Sequence, residues 1–79
     1  MYVYTEARGV RKLKAGCTLE TYQTRHPTAI RVGKPPSFSK LEEWHYDSGC
    51  ETVKCGCWVE PDGHCRHGMP SWLLALGLI

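Results

Sequence analysis

The run Cys50-Glu51-Thr52-Val53-Lys54-Cys55-Gly56-Cys57-Trp58-Val59-Glu60-Pro61-Asp62-Gly63-His64-Cys65-Arg66-His67 places four cysteines and two histidines within eighteen residues. Thiolate and imidazole are the ligands zinc prefers, four at a time in a tetrahedron, and short spacings in turns deliver them with little further ordering of the chain. At its centre Glu60-Pro61-Asp62-Gly63 is a turn sequence, in which proline presets its own backbone angle and glycine accepts a positive one. A reversal there folds Cys57-Trp58-Val59 back against His64-Cys65 and brings Cys57 near Cys65. Cys50, arriving from a preceding helix, and His67, opening the following segment, complete a tetrahedral set. The reading is one structural zinc ion held by Cys50, Cys57, Cys65 and His67. Cys55 competes with Cys57, and a four-cysteine site of Cys50, Cys55, Cys57 and Cys65 is the alternative. His64, directly beside Cys65, is read as a surface residue or as one whose ring N–H orients a ligand.

Upstream of this run, Ser39-x-x-Glu42 has capping-box spacing, with the serine oxygen accepting from an early helical amide and the glutamate reaching back to the cap. Glu42 and Glu43 suit the positive end of a helix dipole. A helix is predicted from Lys40 to near Ser48, stopping at Gly49 in a left-handed cap, with Leu41 and Trp44 as its buried stripe. Downstream, Pro70-Ser71-Trp72-Leu73-Leu74-Ala75-Leu76 predicts a short terminal helix ending before Gly77: proline is tolerated in a first turn, Ser71 is a cap, and leucine and alanine favour helix. Apolar residues occupy every side of that helix. One face is expected to pack on Trp44 and Leu41, and the other to be covered by the N-terminal half, a partner or a second copy.

The N-terminal half reads as short strands. Tyr2–Thr5 is aromatic and β-branched, and Arg8-Gly9 is a turn before Val10–Lys14. Thr18–Thr24 and Thr28–Val32 are further strand candidates, separated by Arg25-His26-Pro27, where proline discourages continuation. Gly33–Ser37 breaks regular structure but is too short for an interdomain linker. The predicted fold is a single small α+β zinc-stabilised domain over residues 1–79. Its basic, β-rich half (1–36) is a hairpin or meander, and its zinc-binding half (37–79) holds one short helix, a zinc-bound hairpin and a short C-terminal helix.

Seventy-nine residues bury too little apolar surface to offset chain entropy comfortably, so a disulfide, metal or partner is expected as a staple. Five cysteines make an odd number, and Met1–Arg8 has no apolar run of the secretory kind, so a reducing cytoplasmic setting with metal-bound thiolates is expected over a disulfide framework. The apolar stretch Trp72–Ile79 is eight residues long, against the roughly 20 that a membrane span needs, and is assigned to a core or an interface. Cys17, alone among basic residues, is expected to be a small buried core residue.

The net charge of +2 is unevenly spread. Residues 1–40 carry eight Lys/Arg against two Glu, giving +6, and residues 41–79 carry two against six acids, giving −4. Arg8, Arg11, Lys12, Lys14, Arg25, Arg31 and Lys34, interleaved with Tyr2, Tyr4 and Tyr22, form a candidate nucleic-acid surface, because cations meet phosphates while bases stack on aromatics.

The segment from Leu41-Glu42-Glu43-Trp44 through Cys50-Glu51, Gly56-Cys57, Val59–Gly63, Cys65, His67-Gly68 and Pro70–Leu74 resembles a family of small prokaryotic and phage-borne proteins without an assigned function. The resemblance covers about the last forty residues. It implies Cys57 rather than Cys55 as ligand and supplies no activity.

Three thiolates and an imidazole would close a zinc site, and the sequence has neither a phosphate-cradling glycine loop nor a His-Glu-x-x-His run. The expectation is a non-catalytic, zinc-finger-like binding module. Nucleic acid or a nucleoprotein complex is the partner implied by the basic half; a protein-binding adaptor or inhibitor, using the apolar C-terminal segment, is the alternative, and a zinc hydrolase the second. Neither a membrane nor a small-molecule substrate is expected.

Overall fold

A computed structural model describes every residue from Met1 to Ile79. The chain divides into two compact units, Met1–Lys34 and Pro35–Ile79, and the division falls inside the Gly33–Ser37 break.

In the first unit, β1 (Tyr2–Thr5), β2 (Gly9–Lys12) and β3 (Ile30–Val32) form an antiparallel sheet in the order β2-β1-β3. The β1–β2 turn is held by the buried Thr5, whose hydroxyl accepts the Arg8 N–H at 3.1 Å. Gly9 closes it at φ +69°, a region glycine enters without penalty. Val3 is wholly buried and pairs with Arg11 on one side and Arg31 on the other.

The segment expected as a strand at Thr18–Thr24 is instead a helix, α1 (Leu19–Arg25). Three threonines favour a strand, but Leu19, Tyr22, Gln23 and His26 recur at the i, i+3, i+4, i+7 spacing of one helical face, and these four are the half-buried positions. Thr18 caps the helix, its oxygen accepting the Thr21 N–H at 3.2 Å. Glu20 in the first turn and Arg25 in the last complement the helix dipole. The Gln23 amide donates to the Ala29 carbonyl at 2.9 Å and ties the helix to the approach of β3. Cys17, expected in the core, is exposed just before the cap.

In the second unit, α2 (Phe38–Asp47) starts one residue after Ser37, whose oxygen accepts the Lys40 N–H at 3.3 Å. Ser39 therefore lies inside the helix rather than at its cap. Leu41 and Trp44 are the buried positions of α2, as their spacing implies. The left-handed residue at its end is Ser48, at φ 55°, not Gly49.

Gly49 serves a different purpose. A Cβ there would overlap the indole of Trp58, so glycine is what lets β4 (Cys50–Glu51) pair antiparallel with β5 (Trp58–Val59) while Trp58 sets its ring edge-on to Trp44, centroids 6.2 Å apart at 86°. Gly49→Ala is expected to push the Trp58 ring off this seat and to cost about 1–3 kcal/mol, the usual range for overpacking. Denaturant unfolding measures it; an unchanged midpoint contradicts the packing described.

The C-terminal helix α3 (Trp72–Ala75) is shorter than predicted, with Pro70 outside it. Ser71 is wholly buried and closes three contacts. Its N–H donates to the Gly63 carbonyl at 3.1 Å, its hydroxyl donates to the Pro61 carbonyl, and its oxygen accepts the Leu74 N–H at 3.0 Å. Ser71 thus caps α3 and fastens it to the Glu60–Gly63 turn, which closes through a Gly63 N–H to Glu60 carbonyl bond of 2.8 Å. Trp72, Leu73 and Ala75 are buried, and α3 packs against α2 and β4. Phe38 and Tyr46 of α2, with Leu78 beyond α3, stay exposed around a shallow groove over Leu41 and Leu73.

Candidate metal centre

Two tight turns face each other across the hairpin. The first is built on Thr52, a buried residue whose N–H donates to the Cys57 carbonyl at 2.8 Å and whose hydroxyl accepts the Cys57 N–H at 2.9 Å. Between these anchors the chain bulges outward. The Cys55 N–H reaches the Val53 carbonyl at 2.7 Å and the Gly56 N–H reaches the Thr52 carbonyl at 3.2 Å. Lys54 and Gly56 take φ +66° and +67°, so the backbone on both sides of Cys55 is left-handed and turns its thiol to the same side as Cys57. The second turn is Cys65-Arg66-His67-Gly68. It closes through a Gly68 N–H to Cys65 carbonyl bond of 2.9 Å, with a Cys65 N–H to Met69 carbonyl bond of 2.9 Å behind it. Gly68 leaves the turn at φ +81°, and His64 pairs with Pro70 in an isolated bridge.

The result is a cluster of four candidate ligand atoms, the sulfurs of Cys55, Cys57 and Cys65 and a ring nitrogen of His67, all within 4.8 Å of one another. The Cys55 and Cys65 sulfurs are 3.3 Å apart, and His67 Nδ1 lies 3.5 Å from Cys57 Sγ and 3.6 Å from Cys65 Sγ. These four residues are close enough to bind one metal ion.

Three of the four expected ligands are therefore together, and the fourth is replaced. Cys50 is wholly buried in β4, paired with Val59, and its thiol donates to the Glu51 carbonyl at 3.3 Å. It is a small apolar core residue of the kind free cysteine commonly is. Cys55 joins Cys57 rather than competing with it. The two-residue spacing of Cys55-x-Cys57 is the same as that of Cys65-x-His67, and left-handed Lys54 and Gly56 make room for it. His64 is exposed and outside the cluster.

The surroundings lower the thiol pKa at two positions. A hydrogen bond from the Thr52 hydroxyl, 3.1 Å away, is the largest influence on Cys55 and lowers its pKa. At Cys65 partial desolvation pushes upward, but hydrogen bonds from the Cys55 thiol, from the Met69 and His67 backbone and from the His67 ring outweigh it and bring the pKa down to about 6. Cys57 is raised, chiefly through its hydrogen bond with Cys55. His67 is raised by its bond to Cys65. Thr52 is the residue of this cluster that the sequence does not announce: one hydroxyl bonds both the Cys57 amide and the Cys55 sulfur.

The candidate nucleic-acid residues are distributed over the first unit, all of them exposed. Arg11 and Arg31 share one face of the sheet on either side of Val3, while Lys12 pairs with Tyr2 on the opposite face. Arg8 and Arg25 meet at a cleft beside α1. Lys14 follows β2 and Lys34 ends the unit. No helix of the chain is long and apolar enough to cross a membrane. No family model matches the chain, and neither a curated protein nor a solved structure matches it.

Proposed function

We propose that the chain is a small zinc-stabilised module without catalytic chemistry, which binds nucleic acid or a nucleoprotein complex through its basic N-terminal unit. The observation that carries the zinc assignment is the spacing of the four ligand atoms. Tetrahedral zinc with bonds of about 2.3 Å to sulfur and about 2.0–2.1 Å to nitrogen has edges of about 3.8 Å between sulfurs and about 3.5 Å between sulfur and nitrogen. The two sulfur–nitrogen distances of 3.5 and 3.6 Å match that edge. The 3.3 Å sulfur pair needs to open by about half an ångström to reach it. Three thiolates and an imidazole are a soft donor set that suits zinc. They also fill all four tetrahedral positions, which leaves no place for a metal-bound water and supports a structural over a catalytic ion.

For the binding function the support is charge. Residues 1–34 carry seven Lys/Arg against two Glu, +5 net, whereas residues 35–79 are −3. A fluorescence-anisotropy titration of the zinc-loaded protein against mixed DNA and RNA at about 50 and 200 mM salt tests it. A protein contacting several phosphates loses affinity by orders of magnitude over that range. Absence of binding at the lower salt, or binding indifferent to salt, contradicts the reading.

A protein-binding role for the second unit is favoured by one specific observation. Phe38 and Tyr46 are 71% and 81% exposed on one side of α2, at a groove floored by Leu41 and Leu73.

A further inference from the structure

The cleft beside α1 brings together Arg8 from the β1–β2 turn with Thr21, Tyr22, Arg25 and His26 of the helix and its cap, in a space of about 430 Å³. Tyr22 and His26 are one helical turn apart and overlap as a tilted pair, ring centroids 4.5 Å apart at 33°. Both are half-buried, so part of each side chain stays accessible. Arg8 and Arg25 are exposed at its edge. A cleft lined by an aromatic pair and two guanidinium groups is a composition with a specific use. A planar ring continues the aromatic stack, and the phosphates on either side of it meet guanidinium groups, whose forked N–H donors match phosphate oxygens.

We propose that this cleft receives one unpaired nucleotide of a single-stranded nucleic acid, its base against Tyr22 and His26 and its flanking phosphates at Arg8 and Arg25. The proposal rests on the nucleic-acid reading given above and sharpens it. Of the seven basic residues, only Arg8 and Arg25 line this cleft, so the seven are unequal: these two act with a stacking platform, whereas Arg11 and Arg31 lie in a row on the sheet and supply charge alone. It also specifies the strand state. Bases in a duplex are stacked on their neighbours and unavailable to a side chain, so a single strand must bind more tightly than the duplex of the same sequence.

The test uses the full zinc-loaded protein and a labelled 15-mer of oligothymidylate. Tyr22→Ala is expected to weaken binding about tenfold or more, the range for losing one base–aromatic stack, while Tyr22→Phe, which keeps the ring, stays within about twofold. Arg25→Gln is expected to lower affinity and to reduce the dependence of log K on log salt by about one unit. Because Tyr22→Ala could disturb α1, the wild-type protein provides a second readout, in which the His26 ring proton resonances shift during the titration. If the wild-type protein does not bind the oligonucleotide at low salt, this proposal falls, and if it does not bind mixed DNA and RNA either, the nucleic-acid reading falls with it. If it binds with a steep salt dependence but Tyr22→Ala binds equally well, or the His26 resonances do not move, the cleft is not the site and only this proposal is overturned.

Discussion

Removal of the metal with a chelator at neutral pH is expected to abolish the ordered structure of residues 50–71 and to loosen most of residues 40–79. The strands that frame the centre, β4 and β5, have two residues each, far below what an isolated two-stranded sheet needs to persist in water. Both ligand turns depend on backbone bonds spanning only a few residues, and the first also needs a left-handed Lys54, which the unbound chain has little reason to adopt. Structural zinc supplies roughly 10–16 kcal/mol in comparable small domains at neutral pH, and whole domains are stable by only about 5–15 kcal/mol. Loss of the ion therefore removes a quantity as large as the net stability. Amide spectra recorded before chelation, after it and after zinc is restored measure the effect. Native dispersion for Cys50–Ser71 in the chelated sample would show that the hairpin stands without metal. Acidification should act in the same direction, because protons compete with the metal for the thiolates.

The second large effect separates two neighbouring cysteines. Cys55→Ser should lower zinc affinity by more than about a hundredfold, beyond the 10–100-fold typical of losing a residue that merely orients a ligand. Cys50→Ser should retain one zinc equivalent, because its thiol lies in the core against the Glu51 carbonyl rather than in the cluster. Its cost should appear as a loss of about 1–3 kcal/mol in the unfolding free energy, from a more polar group in an apolar site. Competition against a chromophoric chelator, run beside thermal unfolding, gives both quantities. Zinc loss from Cys50→Ser with retention in Cys55→Ser would restore the ligand set that helix-exit reasoning selects.

That pair also shows where the sequence is informative and where it stops. The dense Cys/His run, the Glu60–Gly63 turn and the proximity of Cys57, Cys65 and His67 are legible because turn chemistry and ligand type act locally. The expected hairpin, however, is not formed: Trp58-Val59 pairs with Cys50-Glu51, and His64 bridges to Pro70, rather than the two pairing with each other. Choosing between Cys50 and Cys55 is not local. It depends on the Thr52 hydroxyl bonding to Cys57 N–H and Cys55 Sγ at once and on a left-handed Lys54, a residue type with no preference for that conformation. The same limit applies at Gly49, whose role is to leave room for the indole of Trp58, nine residues further along the chain. In the first unit the failure is one of weighting: the β-preference of Thr18, Thr21 and Thr24 obscures the helical recurrence of Leu19, Tyr22, Gln23 and His26. Leu41, Trp44 and the capping role of Ser71 follow from periodicity and cap chemistry, and the structure has them so.

X-ray absorption at the zinc edge of the purified, metal-loaded protein tests the central claim most directly. Three sulfur scatterers at about 2.3 Å and one imidazole nitrogen at about 2.0–2.1 Å are the predicted shell. A shell of four sulfurs, or one containing an additional oxygen, would contradict a closed centre built from Cys55, Cys57, Cys65 and His67.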